Sequence, residues 1–438
     1  MSVTERSMGL SLRALGRIAG SSVVDRLGMR TAGERVVYRA ARDGFRVAGA
    51  TARTFAAASR LGSPARLRTT SGRGLFDLTP TEEQQMLQEA CREFAEAVLR
   101  PAAGAAERGD GVAEVLAQGA ELGLTMLGVP DAVGGAVEER SAVTTVLVAE
   151  ALAHGDMGLA TAMLAPAGVA TALSLWGDAD QQARMLPALV GDDVPHGAIA
   201  LLERRPLFDP FSPATTARRA PGGGFVVNGA KALVPRAAAS ELLIVGARLE
   251  GHGPVLLVVE ASEATILAKD EPAMGLRSAG PGEIRLDDVK LPESALLCQG
   301  SPEVYADCVR RARLAWCALA VGTARAVLDY VIPYVNERTA FGEPISHRQA
   351  VAFTVSDMAI DVEGMHLATL RAAARADAGQ DCSREVALAH RLCTRHGARI
   401  GSDGVQLLGG HGFVTEHPIE RWYRDLQAVG VMEGALLV

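Results

Sequence analysis

The sequence has few lysines, aromatic residues and cysteines, and each scarcity excludes a class of protein. Lysine occurs only three times in 438 residues, so arginine carries nearly all of the positive charge. Aromatic residues make up 4% of the chain, and the formal net charge is −7. The basic stretches lack interleaved aromatic side chains and a recognisable DNA-reading helix, so we expect no nucleic-acid binding.

The six cysteines show no C-x-x-C spacing and no nearby histidine pattern. They predict reduced, mostly buried thiols of a cytoplasmic protein, with neither a disulfide framework nor a metal site. The scarcity of lysine beside abundant alanine and glycine is typical of a GC-rich bacterial genome. We judge the apolar runs to be shorter than the roughly 18–20 residues of a membrane span, and therefore expect no spanning helix.

Charge is unevenly distributed along the chain. Residues 1–75 contain fourteen arginines and four acidic residues, a balance of +10, so the remainder carries −7 − 10 = −17. A basic head on an acidic body is typical of a segment that contacts an anionic membrane surface, an acidic partner or its own body. The same composition is found in organellar transit peptides. Because residues 22–60 have a long helical pattern, we favour a retained, partly helical extension.

Three further segments follow the extension, and their patterns differ. Residues 76–195 are predicted to be helical, and Thr79 and Pro80 are expected to begin the first helix as its cap and first residue. Residues 196–297 contain short β-branched runs separated by turn residues, which predict a small antiparallel sandwich or barrel. Residues 298–438 return to long helices that predict a helical bundle. The predicted fold class is α+β, in the order α, β, α.

One carboxylate near the end of the sequence stands apart from other charge. Glu433 is the only ionisable residue after Asp425, in an otherwise apolar run. Desolvation disfavours the charged form of a carboxylate and raises its pKa, which suits a general base for a weak carbon acid. A solvated glutamate at a chain terminus is the simpler alternative, and only the motifs upstream favour the catalytic interpretation.

Those motifs resemble the acyl-CoA dehydrogenase family over nearly all of residues 76–438. The longest is Glu337-Arg-Thr-Ala-Phe-Gly-Glu-Pro-Ile, followed by Gln406-Leu-Leu-Gly-Gly-His-Gly and then Glu433-Gly434. The resemblance implies a helical N-terminal domain, a central β-domain and a C-terminal four-helix bundle. It also implies a homodimer or homotetramer in which two subunits clasp each FAD.

Site residues are implied by the same resemblance. Arg338 would meet the FAD diphosphate with Phe341 beside it, and a guanidinium fork suits paired phosphate oxygens. Gln349 would hold the dinucleotide across the dimer interface. Gln406, Gly409 and Gly410 would line its adenosine end, since glycines let the backbone approach a flat cofactor closely.

The implied reaction is α,β-dehydrogenation of an acyl-CoA thioester. Glu433 would remove the α-proton while the flavin N5 takes the β-hydride, and Arg313 would lie near the base and the thioester. Preorganised donors must hold the thioester oxygen as negative charge builds there. An electron-transferring flavoprotein is the implied electron acceptor. Arg313 as an ordinary helix-face residue remains an equal alternative.

The sequence departs from the family where the flavin ring is expected. The family's Thr-Glu-Pro becomes Leu202-Glu203-Arg204, and its Trp and Thr become Leu233 and Pro235. The Thr after Glu-Gly is Ala435. These losses remove hydroxyl and N–H groups and leave two outcomes open. Either the protein binds FAD through different contacts and takes a different substrate, or it is a catalytically weak or silent subunit in a hetero-oligomer with another family member. A third alternative is an acyl-CoA oxidase-like flavoprotein, which passes electrons to oxygen.

Overall fold

A computed structural model describes residues 68–69, 78–135, 139–190, 194–261 and 267–438 of the chain. These residues form helices, then a sheet, then helices again, which confirms the predicted α+β class. The predicted helix within 22–60, and almost all of the extension 1–75, lie outside the described residues.

The N-terminal domain is built from helices that begin at polar caps. The first helix begins at Glu82 and not at Pro80, because the Thr81 hydroxyl accepts the Gln84 N–H while the Gln84 side chain accepts the Thr81 N–H. This reciprocal capping box satisfies two backbone donors that a helix N-terminus leaves free. The helices are α1 (Glu82–Phe94), α2 (Arg100–Ala106), α3 (Val112–Glu121), α4 (Ala142–Ala153), α5 (Met157–Trp176) and α6 (Ala179–Met185).

Our expectation that no apolar run is as long as a membrane span is wrong for α5. This helix has 20 residues without a charged side chain, and α7 (Pro302–Glu337) is also long and apolar enough to cross a membrane by length and composition. Both helices are mostly buried inside the fold, α5 almost completely. Helices that pack on all sides against other protein elements have the same composition as membrane spans, so their apolar character reflects the core.

The central domain is a sheet of eight strands. The strands of the described chain are β1 (Arg68–Thr69), β2 (Glu139–Arg140), β3 (Gly197–Ala200), β4 (Thr216–Arg219), β5 (Phe225–Pro235), β6 (Leu242–Leu249), β7 (Gly253–Glu260), β8 (Leu267–Asp270), β9 (Pro281–Leu291), β10 (Thr339–Ala340), β11 (Glu343–Pro344) and β12 (Gly434–Ala435). The order in the sheet is β12-β3-β6-β4-β5-β9-β8, with β7 paired to β6. Most pairs are antiparallel, while β3 and β4 both run parallel to β6. Two short two-stranded pairs, β1 with β2 and β10 with β11, lie outside this sheet.

The C-terminal domain consists of three long helices and a short one. Over the whole chain, five of the six cysteines are buried, and only Cys298 is exposed. Helix α7 packs against α4 from the N-terminal domain as well as its own bundle, so one apolar core joins the two helical domains. The remaining helices are α8 (Gln349–Asp377), α9 (Ser383–Leu408) and α10 (Ile419–Leu426).

Two buried carboxylates fix α10 to the rest of the molecule. The Leu276 N–H donates to Asp425 Oδ1 at 2.6 Å, which ties α10 to the loop before β9. Asp156 caps α5 by accepting the Leu159 N–H, and its Oδ2 lies 3.3 Å from Nε of Arg421 on α10 in an ion pair. Burial, and then the nearby Asp156, raises the pKa of Asp425 to about 8. The chain that leads to Glu433 therefore starts from a well-anchored helix.

We predict that Asp425→Asn flattens the pH dependence of stability. An unfolded aspartate has a pKa of about 4, so between about pH 4 and the folded value of about 8 the folded state holds more protons. Stability contributed by this group is therefore lost as pH rises through that window. Urea unfolding from pH 4 to 8 should show a shallower decline for Asp425→Asn, while the exposed Asp131→Asn keeps the wild-type slope. An unchanged slope in Asp425→Asn would contradict the assignment.

Candidate active site and nucleotide cleft

Glu433 lies in the interior where the bundle meets the sheet. Helix α10 is followed by the turn Gln427–Gly430, and the chain then enters the sheet as β12, which pairs with β3. Gly434 has a left-handed φ of 79°, and a Cβ on it would lie 2.3 Å from the Ile199 carbonyl oxygen. Glycine is therefore required for the backbone to approach β3 this closely, and this approach places the Glu433 side chain inside.

Arg313, on α7, holds the Glu433 carboxylate with two nitrogens. Its Nε donates to Oε1 at 2.9 Å and to Oε2 at 3.1 Å, and its Nη2 donates to Oε1 at 2.5 Å. The side chains of Glu433 and Arg313 are 8% and 23% exposed. Because water is largely excluded, the two charges interact more strongly than a surface pair does. Of the two interpretations of Arg313, the structure supports the one beside Glu433.

The loop between β3 and β4 covers this ion pair. The guanidinium of Arg313 stacks on the Phe211 ring with 5.6 Å between its carbon and the ring centroid, a cation–π contact. The Tyr305 hydroxyl donates to the Pro210 carbonyl at 2.6 Å and anchors the loop to α7. On the opposite side, Trp316 Nε1 donates to the Gly434 carbonyl at 3.0 Å. Glu433 is therefore enclosed by groups from three parts of the chain.

The pKa of Glu433 is raised above its ordinary value. Burial is the main cause, because it disfavours the charged carboxylate, and the negative charge of Asp209 acts in the same direction. The hydrogen bonds and positive charge of Arg313 oppose both effects without cancelling them. The outcome is a carboxylate that accepts a proton more readily than a free glutamate does.

A second feature is an open cleft of about 630 Å³ on the C-terminal domain. Five of the six residues predicted to contact the cofactor line it: Arg338, Phe341, Gln406, Gly409 and Gly410. Gln349 begins α8 beside Ala350, which lines the cleft, but Gln349 itself is not part of the lining. Neither Glu433 nor Arg313 lines it, so the structure places the predicted residues in two separate groups.

The chemistry of the cleft fits the nucleotide half of a dinucleotide. Arg338 and Arg348 supply guanidinium groups for phosphates, and Phe341 presents a ring that is 97% exposed. A Cβ at Gly409 or Gly410 would meet nothing within 4 Å, so the backbone there is open to a ligand. The Arg348 guanidinium lies over the Phe341 ring, with 5.8 Å between its carbon and the ring centroid, so these two features are linked.

The region expected to hold the flavin ring is packed with protein in this conformation. Leu202 is buried, Leu233 packs against the same core, and the Ala232 N–H donates to the Leu202 carbonyl at 2.9 Å. The adjoining edge of β3 is paired with Gly434 and Ala435 of β12. The residues present therefore fit the nucleotide half of the cofactor and not its ring half in this arrangement.

Our sequence reasoning missed two pairs of residues beside the site, Lys231 with Glu203 and Asp209 with Phe211. Lys231 is fully buried, and its Nζ donates to Glu203 Oε1 at 2.8 Å and to the Leu201 carbonyl at 3.2 Å. Burial lowers the pKa of Lys231 to about 8, although Glu203 opposes the shift. A lone lysine inside an apolar strand was the available signal for this pair. Asp209 and Phe211, in contrast, carry no sequence signal that links them to Glu433.

Comparison with known proteins identifies the matching family. Three family models match, described as the N-terminal, middle and C-terminal domains of acyl-CoA dehydrogenase, over residues 81–193, 198–289 and 303–436. The chain is 30% identical over 364 residues to the mitochondrial short-chain specific acyl-CoA dehydrogenase of Mus musculus, covering 81% of this chain and 87% of the relative.

Solved structures show the same fold. Butyryl-CoA dehydrogenase from Megasphaera elsdenii has a TM-score of 0.74 at 25% identity, covering 81% of this chain and 95% of that one. An acyl-CoA dehydrogenase from Bacillus anthracis, solved in complex with FAD, has a TM-score of 0.72 at 24% identity, covering 81% of this chain and 65% of that one.

We predict that Arg313→Gln destabilises the protein by about 2 kcal/mol at pH 8, and by less at pH 5. Removing one partner of a buried pair leaves an uncompensated charge that costs about 3–5 kcal/mol when burial is complete, and Arg313 is partly exposed. Without the guanidinium the pKa of Glu433 rises further, so protonation at pH 5 relieves the charge. Urea unfolding at both pH values measures the difference. Arg310→Gln, on the same helix, serves as the matched control, and an equal loss at both pH values would contradict the prediction.

Proposed function

The chain belongs to the acyl-CoA dehydrogenase family, and from this membership we propose that it removes hydrogen from the α and β carbons of an acyl-CoA thioester. The family consists of FAD-dependent oxidoreductases that act on CH–CH groups in fatty acid metabolism. The observation that carries the proposal is the enclosed Glu433 carboxylate, which has a raised pKa and lies against Arg313.

Glu433 is the proposed base that removes the α-proton. Its raised pKa makes it a stronger base than a solvated glutamate, and the pKa values of general bases are tuned in this way by burial. The backbone N–H of Glu433 is the proposed donor to the thioester oxygen as negative charge develops there. Arg313 keeps the carboxylate ionised and oriented. FAD, when bound, supplies the acceptor for the β-hydride.

The cleft is the proposed site of the FAD nucleotide. Arg338 and Phe341 would contact the diphosphate, and Gln406, Gly409 and Gly410 the adenosine end. In this proposal Gln349 reaches the dinucleotide bound by a second copy of the chain. Phe353, Ile360 and Leu367 support such a copy, because they are exposed apolar residues spaced seven apart on α8. That spacing places them along one face of the helix, which suits a homodimer or homotetramer.

The cellular setting is also a proposal. We place the protein in a bacterial cytoplasm, with an electron-transferring flavoprotein as the acceptor of its electrons. Contact of residues 1–75 with a membrane surface remains a proposal based on their charge of +10.

A second candidate function is a silent partner subunit in a hetero-oligomer. The packed ring region favours it, because Leu202, Leu233 and the β12 pairing take the place of cofactor contacts. In that case the chain alone stays colourless with added FAD, while a complex with the catalytic subunit is yellow. An oxidase-like reaction is distinguished from both by hydrogen peroxide formed under air.

We predict that Glu433→Gln keeps bound FAD but loses its reduction by substrate. After reconstitution with FAD, anaerobic addition of a short-chain acyl-CoA should bleach the flavin absorbance of the wild type. General base catalysis contributes about 10²–10⁴-fold, so we expect bleaching to slow by about a thousandfold in Glu433→Gln. The exposed Glu114→Gln should bleach at the wild-type rate. Normal bleaching in Glu433→Gln would refute the assignment of the base.

We predict that Arg338→Gln weakens FAD binding by about 10–100-fold, since hydrogen bonds to charged groups contribute about 1.5–3 kcal/mol. Fluorescence titration with FAD measures the dissociation constant directly. Arg108→Gln, on the N-terminal domain, should leave it unchanged. An unaltered constant in Arg338→Gln would place the nucleotide elsewhere.

A further inference from the structure

The segment Gly434–Val438, which we name the C-terminal strap, runs through the interior of the protein. Ala435, Leu436, Leu437 and Val438 are each at most 3% exposed. Leu437 belongs to the core cluster that includes Val169 of α5 and Tyr305 of α7. Five consecutive residues directly after the candidate base therefore occupy space between the sheet and two helices.

The strap contacts three elements. Along β3, Gly434 pairs with Ala200 and Ala435 with Ile199. On α7, Trp316 donates to the Gly434 carbonyl, and Arg311 Nη1 donates to the Val438 carbonyl at 3.2 Å.

The contact with α5 is the closest one. A Cβ built on Gly168 would lie 2.8 Å from Leu436 Cα and 2.9 Å from Leu437 N. These distances are too short for carbon in van der Waals contact, so the strap fits against α5 only because residue 168 is glycine.

The position of the strap conflicts with the reaction proposed above, on which this inference rests. The strap pairs with β3, whose continuation through Leu202 and Glu203 matches the family segment that touches the flavin ring. Its two leucines pack beside Gly168 of α5, the helix that the family resemblance places along the acyl group. A flavin ring and an acyl group therefore require space and backbone partners that the strap now holds.

The strap is also held in a way that permits release. Its β12 pairing spans only two residues, and Ala435 has a left-handed φ of 70°, which is unfavourable for a residue with a Cβ. The apolar burial of its leucines opposes this strain and the entropy lost by ordering the segment, effects of similar size. A docked state favoured about tenfold, by about 1.4 kcal/mol, is compatible with these opposing effects.

We propose that the C-terminal strap is an autoinhibitory element that competes with FAD and the acyl group of the substrate for the cleft between β3, α5 and α7. When docked, it covers the edge of β3 and keeps Glu433 enclosed on Arg313. When undocked, it frees both the sheet edge and the apolar space along α5. Binding of the cofactor and release of the strap are then coupled, because each excludes the other.

Gly168→Ala tests the proposal without shortening the chain. The new methyl group collides with the strap backbone, while alanine strengthens the helix in which it lies, so we expect a folded protein with the strap released. Gly104→Ala is the matched control, since it is the same change in a helix where nothing lies within 4 Å of the new Cβ. A chain ending at Ala435 is a second variant, which removes the three strap residues after β12 and leaves only the two-residue pairing with β3.

Two quantities are measured for the wild type and each variant. Hydrogen exchange of residues 431–438, or of residues 431–435 in the shortened chain, reports with or without FAD whether the strap, or what remains of it, is docked. Fluorescence titration gives the dissociation constant for FAD. The apparent dissociation constant equals the intrinsic one divided by the fraction of molecules in which the strap is undocked. We expect Gly168→Ala and the shortened chain to exchange at least tenfold faster and to bind FAD at least tenfold more tightly than Gly104→Ala.

The outcomes separate this inference from the proposed function. Equal FAD affinity in all proteins, or slow exchange of the wild-type strap after FAD has bound, would contradict autoinhibition by the strap. Either result leaves the flavoenzyme proposal intact. Failure of every protein to bind FAD, including the shortened chain, contradicts both. Faster exchange with tighter binding in the two strap variants supports both.

Discussion

The buried ion pair between Arg313 and Glu433 is the interaction on which the arrangement of the site depends. A carboxylate that is 8% exposed is unfavourable in its charged form unless a partner compensates for lost hydration. Arg313 provides that compensation with three short contacts to the two oxygens. The pair also joins α7 to the segment after α10, so the position of the base and the packing of the bundle are coupled.

The two halves of the candidate site are in different states. The cleft on the C-terminal domain is open, lined by guanidinium groups, glycines and an exposed aromatic ring. The region where the family resemblance places the flavin ring is occupied by Leu202, Leu233 and the C-terminal strap. This contrast relates to the two functions considered above, an acyl-CoA dehydrogenase and a silent partner subunit. A strap that undocks is compatible with an enzyme, whereas a strap that stays docked is compatible with a subunit that supports another.

Much of the fold was predictable because it follows from local patterns. Helical periodicity predicted long helices within residues 298–438, where α7 and α8 lie, and β-branched runs separated by turns predicted the central sheet. The start of α1 was misplaced because Thr79 and Thr81 both suit a cap, and only the reciprocal bonds with Gln84 distinguish them. The apolar length of α5 was underestimated because glycine, threonine, serine and proline interrupt its apolar residues, although none of its 20 residues is charged.

The sequence by itself determined the family, the order of the three domains and five residues that line the cleft on the C-terminal domain, because each of these depends on short motifs in the chain. Only the tertiary structure decided that Arg313 bonds to Glu433 across 120 positions, that Phe211 stacks on Arg313, and that residues 434–438 pack beside β3 and α5. The physical reason is that each of these contacts joins distant segments, and a distant contact is selected by packing and desolvation in the complete core, not by the residues that surround it in the sequence.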